Sequence, residues 1–160
     1  MIRTVVLGTV LLAILALNPV FGCLANRFQY SEADMKRVIE GHWKLTVETR
    51  ELDMKIRESG SLKRHASSGF VNSVSACGTR SFVNTADACV DDSAMDVDVV
   101  IAGVANQGTF RVFGTTFERG TLEVEVGGLW LDAHFDATGH VLDVRATQRG
   151  NQVTATLARM

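Results

Sequence analysis

The chain has 160 residues, with 16 basic and 18 acidic side chains and a formal net charge of −2. So even a balance lacks the clustered positive charge of a nucleic-acid footprint, and the one basic cluster, Lys63-Arg64-His65, reads as part of a solvated loop. The single proline is Pro19, so strand edges beyond it must rely on charge, bulges or cover for protection.

Arg3 supplies a short positive start, and Val5 to Leu17 runs VVLGTVLLAILAL without a charge. A charged start followed by such an apolar run predicts a secretory signal. A permanent membrane helix needs about 20 apolar residues, and Asn18 and Pro19 end the run earlier. Residues 20–23 read Val-Phe-Gly-Cys. This resembles the lipobox of bacterial lipoproteins: an aliphatic residue, a variable one, a small one, then the cysteine that is acylated. The resemblance covers residues 1–23 only. It implies cleavage before Cys23 and lipid on Cys23, usually as three acyl chains, where one chain alone would hold a protein marginally. An Asp after the cysteine would resemble an inner-membrane retention signal; Leu24 stands there, which points to the outer membrane. The alternative is an ordinary secretory signal that happens to precede a cysteine.

Three cysteines are present, and an odd count in an exported protein leaves one to explain. Lipid on Cys23 leaves Cys77 and Cys89, which an oxidising compartment would allow to pair. Closing a loop of that size contributes on the order of 3 kcal/mol in the chain-entropy model. Two free thiols, or a Cys23 disulfide to one of them, are the competing readings. No Cys-x-x-Cys occurs, so a zinc or redox site has little support.

The expected organisation is a signal over residues 1–22, a lipidated tether over 23–29 and one β-rich domain over 30–160. A seven-residue tether reaches at most roughly 25 Å, which would keep the domain near the bilayer. Ser31 to Glu40 predicts a helix. Ser31 is a good N-cap with Asp34 three residues on, Tyr30 and Met35 are placed for a hydrophobic staple, and Met35, Val38 and Ile39 share a face. Gly41 marks its end.

The period then changes to two. Trp43, Leu45 and Val47 alternate with polar residues, as do Leu52, Met54 and Ile56, and the parity shift between Thr49 and Glu51 predicts a bulge or a tight turn. Ser59 to Ser68 reads as a polar loop, Phe70 to Ser75 as a strand and Arg80 to Val83 as a weaker one. Asp87, Asp91, Asp92, Asp96 and Asp98 crowd the stretch around Cys89. Oxygen-rich loops hold calcium, but no EF-hand spacing is present, and a solvated acidic loop is the simpler reading.

Val97, Val99 and Ile101 alternate. Thr109 to Phe117 predicts a strand apolar on both faces, Phe110 and Val112 on one and Phe113 and Phe117 on the other. Phe110, Phe113 and Phe117 are thus the candidate partner surface, against the alternative of a central strand buried on both sides. Leu122 to Val126 and Leu129 to Phe135 alternate across Gly127-Gly128, and Thr138-Gly139 and Arg149-Gly150-Asn151 are turn signals around strands at 141–147 and 152–159. Many short strands with regular turns predict a mainly β fold, an antiparallel meander forming a small barrel or sandwich with one short N-terminal helix.

A short helix followed by Gly41-His42-Trp43 on the first strand looks like the opening of lipocalin-like barrels. That resemblance implies a late-strand arginine covering the tryptophan, for which Arg145 and Arg159 are the candidates, and a binder of a small apolar ligand. Asp132, His134 and Asp136, with Trp130, are expected on one face of one strand, where a carboxylate beside an imidazole can do acid–base or metal chemistry; polar residues are also the default on an outer face. Hydrolase, zincin and phosphate-loop motifs are missing, and no catalytic residue, metal or cofactor is assigned. The leading expectation is a non-catalytic, lipid-anchored envelope protein serving as an accessory or assembly subunit. Its partners would be the membrane, through Cys23, and other envelope proteins.

Overall fold

The computed structural model describes residues 28–65 and 91–160. Within them the chain forms one short helix and a sheet that curls into a nearly closed antiparallel barrel. Of the two architectures open from the sequence, this is the barrel. The signal, the Cys23 lipidation site, the strands expected within 70–83 and the Cys77–Cys89 pair lie outside the described residues.

Helix α1 spans Glu32–Ile39. Its start is the expected capping box: Asp34 N–H donates to the Ser31 hydroxyl, and the Asp34 carboxylate accepts from Ser31 N–H at 2.8 Å. The bonds that the carboxylate accepts from Ser31 N–H and from the Ser31 hydroxyl hold it below the usual aspartate range. Met35, Val38 and Ile39 are buried, so the narrow apolar face plugs one end of the barrel. Lys36 bridges Glu32 and Glu58 and so ties the polar face to the second strand; both bonds raise the ammonium pKa.

The strands are β1 (Gly41–Val47), β2 (Arg50–Glu58), β3 (Lys63–His65), β4 (Asp92–Ile101), β5 (Val104–Phe113), β6 (Gly120–Val126), β7 (Leu129–Phe135), β8 (Val141–Gln148), β9 (Asn151–Val153) and β10 (Ala155–Arg159). The strands pair in the order β1-β2-β4-β5-β6-β7-β8-β9, β3 adds to β4, and β10 returns to pair with β1, Trp43 opposite Arg159 and Val47 opposite Ala155. β9 and β10 are two halves of one extended run, parted at Thr154: the first half pairs with β8 and the second with β1. This run brings the two edges of the sheet together.

The parity shift after Val47 is a tight turn, since Val47 pairs with Arg50. Four hairpins of this two-residue kind, β1–β2, β4–β5, β6–β7 and β8–β9, gather at one end. At Gly127-Gly128 both central residues have positive φ, 59° and 79°, the backbone that matches the twist of flanking strands. The helix and the longer connections occupy the opposite end.

Two sequence expectations change. Lys63–His65 lies within the expected polar loop but pairs with β4, prolonging β2 after a break at Ser59–Leu62. The acidic stretch is strand from Asp92 onward, where Ser93, Met95, Val97, Val99 and Ile101 face inward and Asp92, Asp96 and Asp98 point away. Alternation, not acidity, decides the local structure there.

The core at the helix end is aromatic. Trp43 and Phe135 meet edge-on at 5.4 Å, Phe110 lies 6.1 Å from Phe135 and 6.2 Å from Phe117, and Phe117 lies 5.6 Å from Tyr30. Such ring pairs add about 0.5–1.5 kcal/mol each beyond area burial. Gly120 belongs to this packing: a Cβ there would stand 2.3 Å from Phe110 Cζ.

Candidate functional site

Three arrangements bear on function: the lock on Trp43, the fixing of the N-terminal segment, and a polar cluster on the outer wall.

Arg159 covers Trp43. Its guanidinium carbon stands 4.3 Å from the ring centroid, which identifies Arg159 and not Arg145 as the covering residue; Arg145 instead lies near Asp143 at 3.6 Å. The same guanidinium donates to the carbonyls of Glu40 at 3.0 Å, Arg37 at 3.3 Å and Val38, and the Trp43 indole N–H donates to Ile39 O at 3.0 Å. The last carbonyls of a helix have no partner within it. Here a cation and an indole supply them, at the negative end of the helix dipole. Partial burial lowers the Arg159 pKa, though an arginine remains charged in proteins. The β7–β8 loop closes over the same spot. Asp136 accepts from Thr138 N–H, the Thr138 hydroxyl and His140 N–H, bonds that keep its carboxyl low.

The N-terminal segment is fastened at the same end. Gln29 N–H donates to Thr115 O at 2.7 Å. Arg64 donates to Tyr30 O at 2.5 Å and lies 4.6 Å over the Phe28 ring and 5.6 Å over that of Tyr30. The Tyr30 hydroxyl reaches into the wall, 2.9 Å from Ser93 Oγ and 3.1 Å from Gly114 O; burial raises its pKa. Phe28 and Gln29, expected in the tether, are thus already part of the folded domain.

The expected partner surface separates. Strand β5 ends at Phe113 because Gly114 takes φ 89° and turns the chain. Phe110 is fully buried and Phe117 folds back from the loop into the core, while Phe113 is 52% exposed beneath the Arg111 guanidinium at 5.7 Å. Phe110 and Phe117 therefore cannot meet a partner directly, and Phe113 alone of the three is available.

On the outer wall, β6, β7 and β8 align Thr121–His134–Asp143 and Glu123–Asp132–Arg145 across the strands. His134 Nε2 lies 3.0 Å from Asp132 Oδ1, and Nδ1 lies 3.4 Å from an Arg119 nitrogen and 3.6 Å from Asp143 Oδ2. Asp136 does not join the cluster, being occupied in its own turn; Asp143 and Arg119 take its place. Sequence spacing missed both because they come from neighbouring strand and loop. Both imidazole nitrogens thus have polar neighbours, Asp132 at Nε2 and Arg119 and Asp143 at Nδ1. The group is suited to pinning three strands together. Among the described residues no three His, Cys, Asp or Glu side chains gather as a metal site, and no helix is long and apolar enough to cross a membrane.

Comparison with protein-family models, with curated proteins and with solved structures found no match for this chain.

Proposed function

We propose that this protein is a non-catalytic lipoprotein of the cell envelope, anchored through lipid on Cys23 in the outer membrane and serving as an accessory or assembly subunit of an envelope complex. The observation that carries this reading is the filled helix end of the barrel. Trp43, Phe110 and Phe135 are fully buried against one another, so the working part of the domain is its outer surface. The lipobox-like Val20-Phe21-Gly22-Cys23 supplies the location. The fastening of Phe28 supports it further, because it leaves only residues 24–27 between anchor and domain. Cys77 and Cys89 would then form a disulfide in an oxidising compartment. Crosslinking in intact cells followed by purification tests the reading: a specific envelope protein should be recovered with the wild type, and a lone monomer under all conditions would contradict it.

A second reading has one specific observation in its favour. The Arg159–Trp43 stack following Gly41-His42 is what the lipocalin resemblance implies, and it would make the protein a binder of a small apolar ligand. Native mass spectrometry of protein purified from its own cells tests this, since a carrier should bring a bound small molecule with it. Trp43, Phe110 and Phe135 fill the helix end, so such a ligand could not lie there.

A further inference from the structure

We infer that the helix end of the barrel, with Phe113 and Arg111 at its rim, rests on the headgroup layer of a bilayer, and that the four two-residue hairpins point away from it. This rests on the proposed lipid anchor at Cys23 and adds an orientation to it.

The geometry of reach decides the direction. Phe28 is held at the helix end by Arg64, and Gln29 by Thr115. From Cys23 to Phe28 the chain extends at most about 18 Å. A ten-residue strand such as β4 spans about 33 Å along its length and about 25 Å along the axis of a tilted small barrel. A tether of 18 Å cannot carry the chain from the helix end past the hairpins to a bilayer on the far side. The barrel must therefore present its helix end or its flank.

The surface chemistry favours the end. Phe113 projects there, half exposed, immediately before Gly114 and Thr115, the latter the partner of Gln29. An exposed apolar ring can insert at the boundary between headgroups and acyl chains, and of exposed Phe113 and Trp130 only Phe113 lies at the end to which the tether is fastened. The Arg111 guanidinium, 46% exposed, lies 5.7 Å from that ring and 3.9 Å from Asp92 Oδ2, and its exposed N–H groups are placed to meet lipid phosphate. Trp130, by contrast, follows the Gly127-Gly128 turn and is 40% exposed near the hairpin end, and Val104, also exposed, borders the same turn. These two residues would face the neighbours of an anchored protein.

Tryptophan emission reads the orientation directly. The wild type reports on Trp130 at the hairpin end, while Phe113→Trp combined with Trp130→Phe moves the reporter to the helix end; buried Trp43 is common to both. Lipidated full-length protein matured in cells would be reconstituted in phosphatidylcholine liposomes carrying a headgroup nitroxide lipid. The expected result is loss of emission from the Phe113→Trp protein and little loss from the wild type. Thr116→Trp, on the exposed loop of the same end, serves as a second reporter and should behave like Phe113→Trp. Equal quenching, or stronger quenching of the wild type, in protein that floats with the liposomes would overturn the orientation while leaving the anchor standing. Protein that neither floats nor carries lipid on Cys23 would overturn the anchor, and the orientation with it.

Discussion

The Arg159 guanidinium lies 4.3 Å from the centre of the Trp43 ring and donates to backbone carbonyls at the end of α1. One side chain from the last strand thereby joins the first strand and the helix terminus, and it lies so close to Gly139 of the β7–β8 loop that a Cβ there would stand 3.4 Å from its Nη2. Arg159→Ala should cost about 2 kcal/mol, combining a cation–π contact with charged hydrogen bonds. Arg145→Ala, on the outer wall, should stay within about 0.5 kcal/mol. Urea unfolding of the two variants checks the contrast, and comparable losses would refute the assignment of Arg159 as the lock.

Tyr30 secures the start of the domain. Its hydroxyl is the side-chain partner of Ser93, the one buried polar side chain among the described residues. Tyr30→Phe keeps the ring contact with Phe117 and removes only the oxygen, so the expected loss is about 1–2 kcal/mol from an unsatisfied buried hydroxyl. Double replacement with Ser93→Ala should recover part of that loss, which a double-mutant cycle measures.

Gly120 tests the aromatic packing. Its φ is unremarkable and its need for glycine is purely steric, with Phe110 Cζ 2.3 Å from the site of a Cβ. Gly120→Ala should destabilise by about 3 kcal/mol, and Gly120→Ala with Phe110→Leu should be less damaging than either change predicts by addition. Thermal melts that show Gly120→Ala to be neutral would disprove close packing at that position.

The capping box gives a pH dependence with a definite sign. Hydrogen bonds from Ser31 depress the Asp34 carboxyl in the folded state. Its contribution is therefore complete above the unfolded aspartate value near 3.9 and is lost as pH falls through the lower folded value. The stability gap between wild type and Asp34→Asn should be constant near neutrality and shrink in acid. A gap that widened on acidification would contradict the bonding seen at Ser31. Ser31→Ala should cost about 1 kcal/mol at neutral pH.

Much of this architecture was legible because alternation and turn chemistry are local. Trp43-Leu45-Val47, Leu52-Met54-Ile56 and Leu129 to Phe135 each show which side faces inward, and Gly127-Gly128 shows where the chain reverses. What escaped depends on register. Lys63–His65 carries no apolar period because it merely prolongs β2 along β4. Phe117 has the composition of a strand residue, yet it enters the core from a loop once Gly114 has turned the chain. Arg145 and Arg159 are equivalent in sequence, and only the pairing of Trp43 with Arg159 separates them. The His134 cluster was half visible: Asp132 lies on the same strand, while Asp143 and Arg119 come from elements that spacing cannot align. The Cys77–Cys89 pairing rests on sequence alone.

The account turns on Cys23, and metabolic labelling with palmitate followed by membrane fractionation tests it most directly. Wild-type protein is predicted to incorporate the label and sediment with membranes, and Cys23→Ser to lose both properties. A Cys23→Ser protein that still labels and still fractionates with membranes would contradict the anchor, and with it the orientation drawn from Phe28.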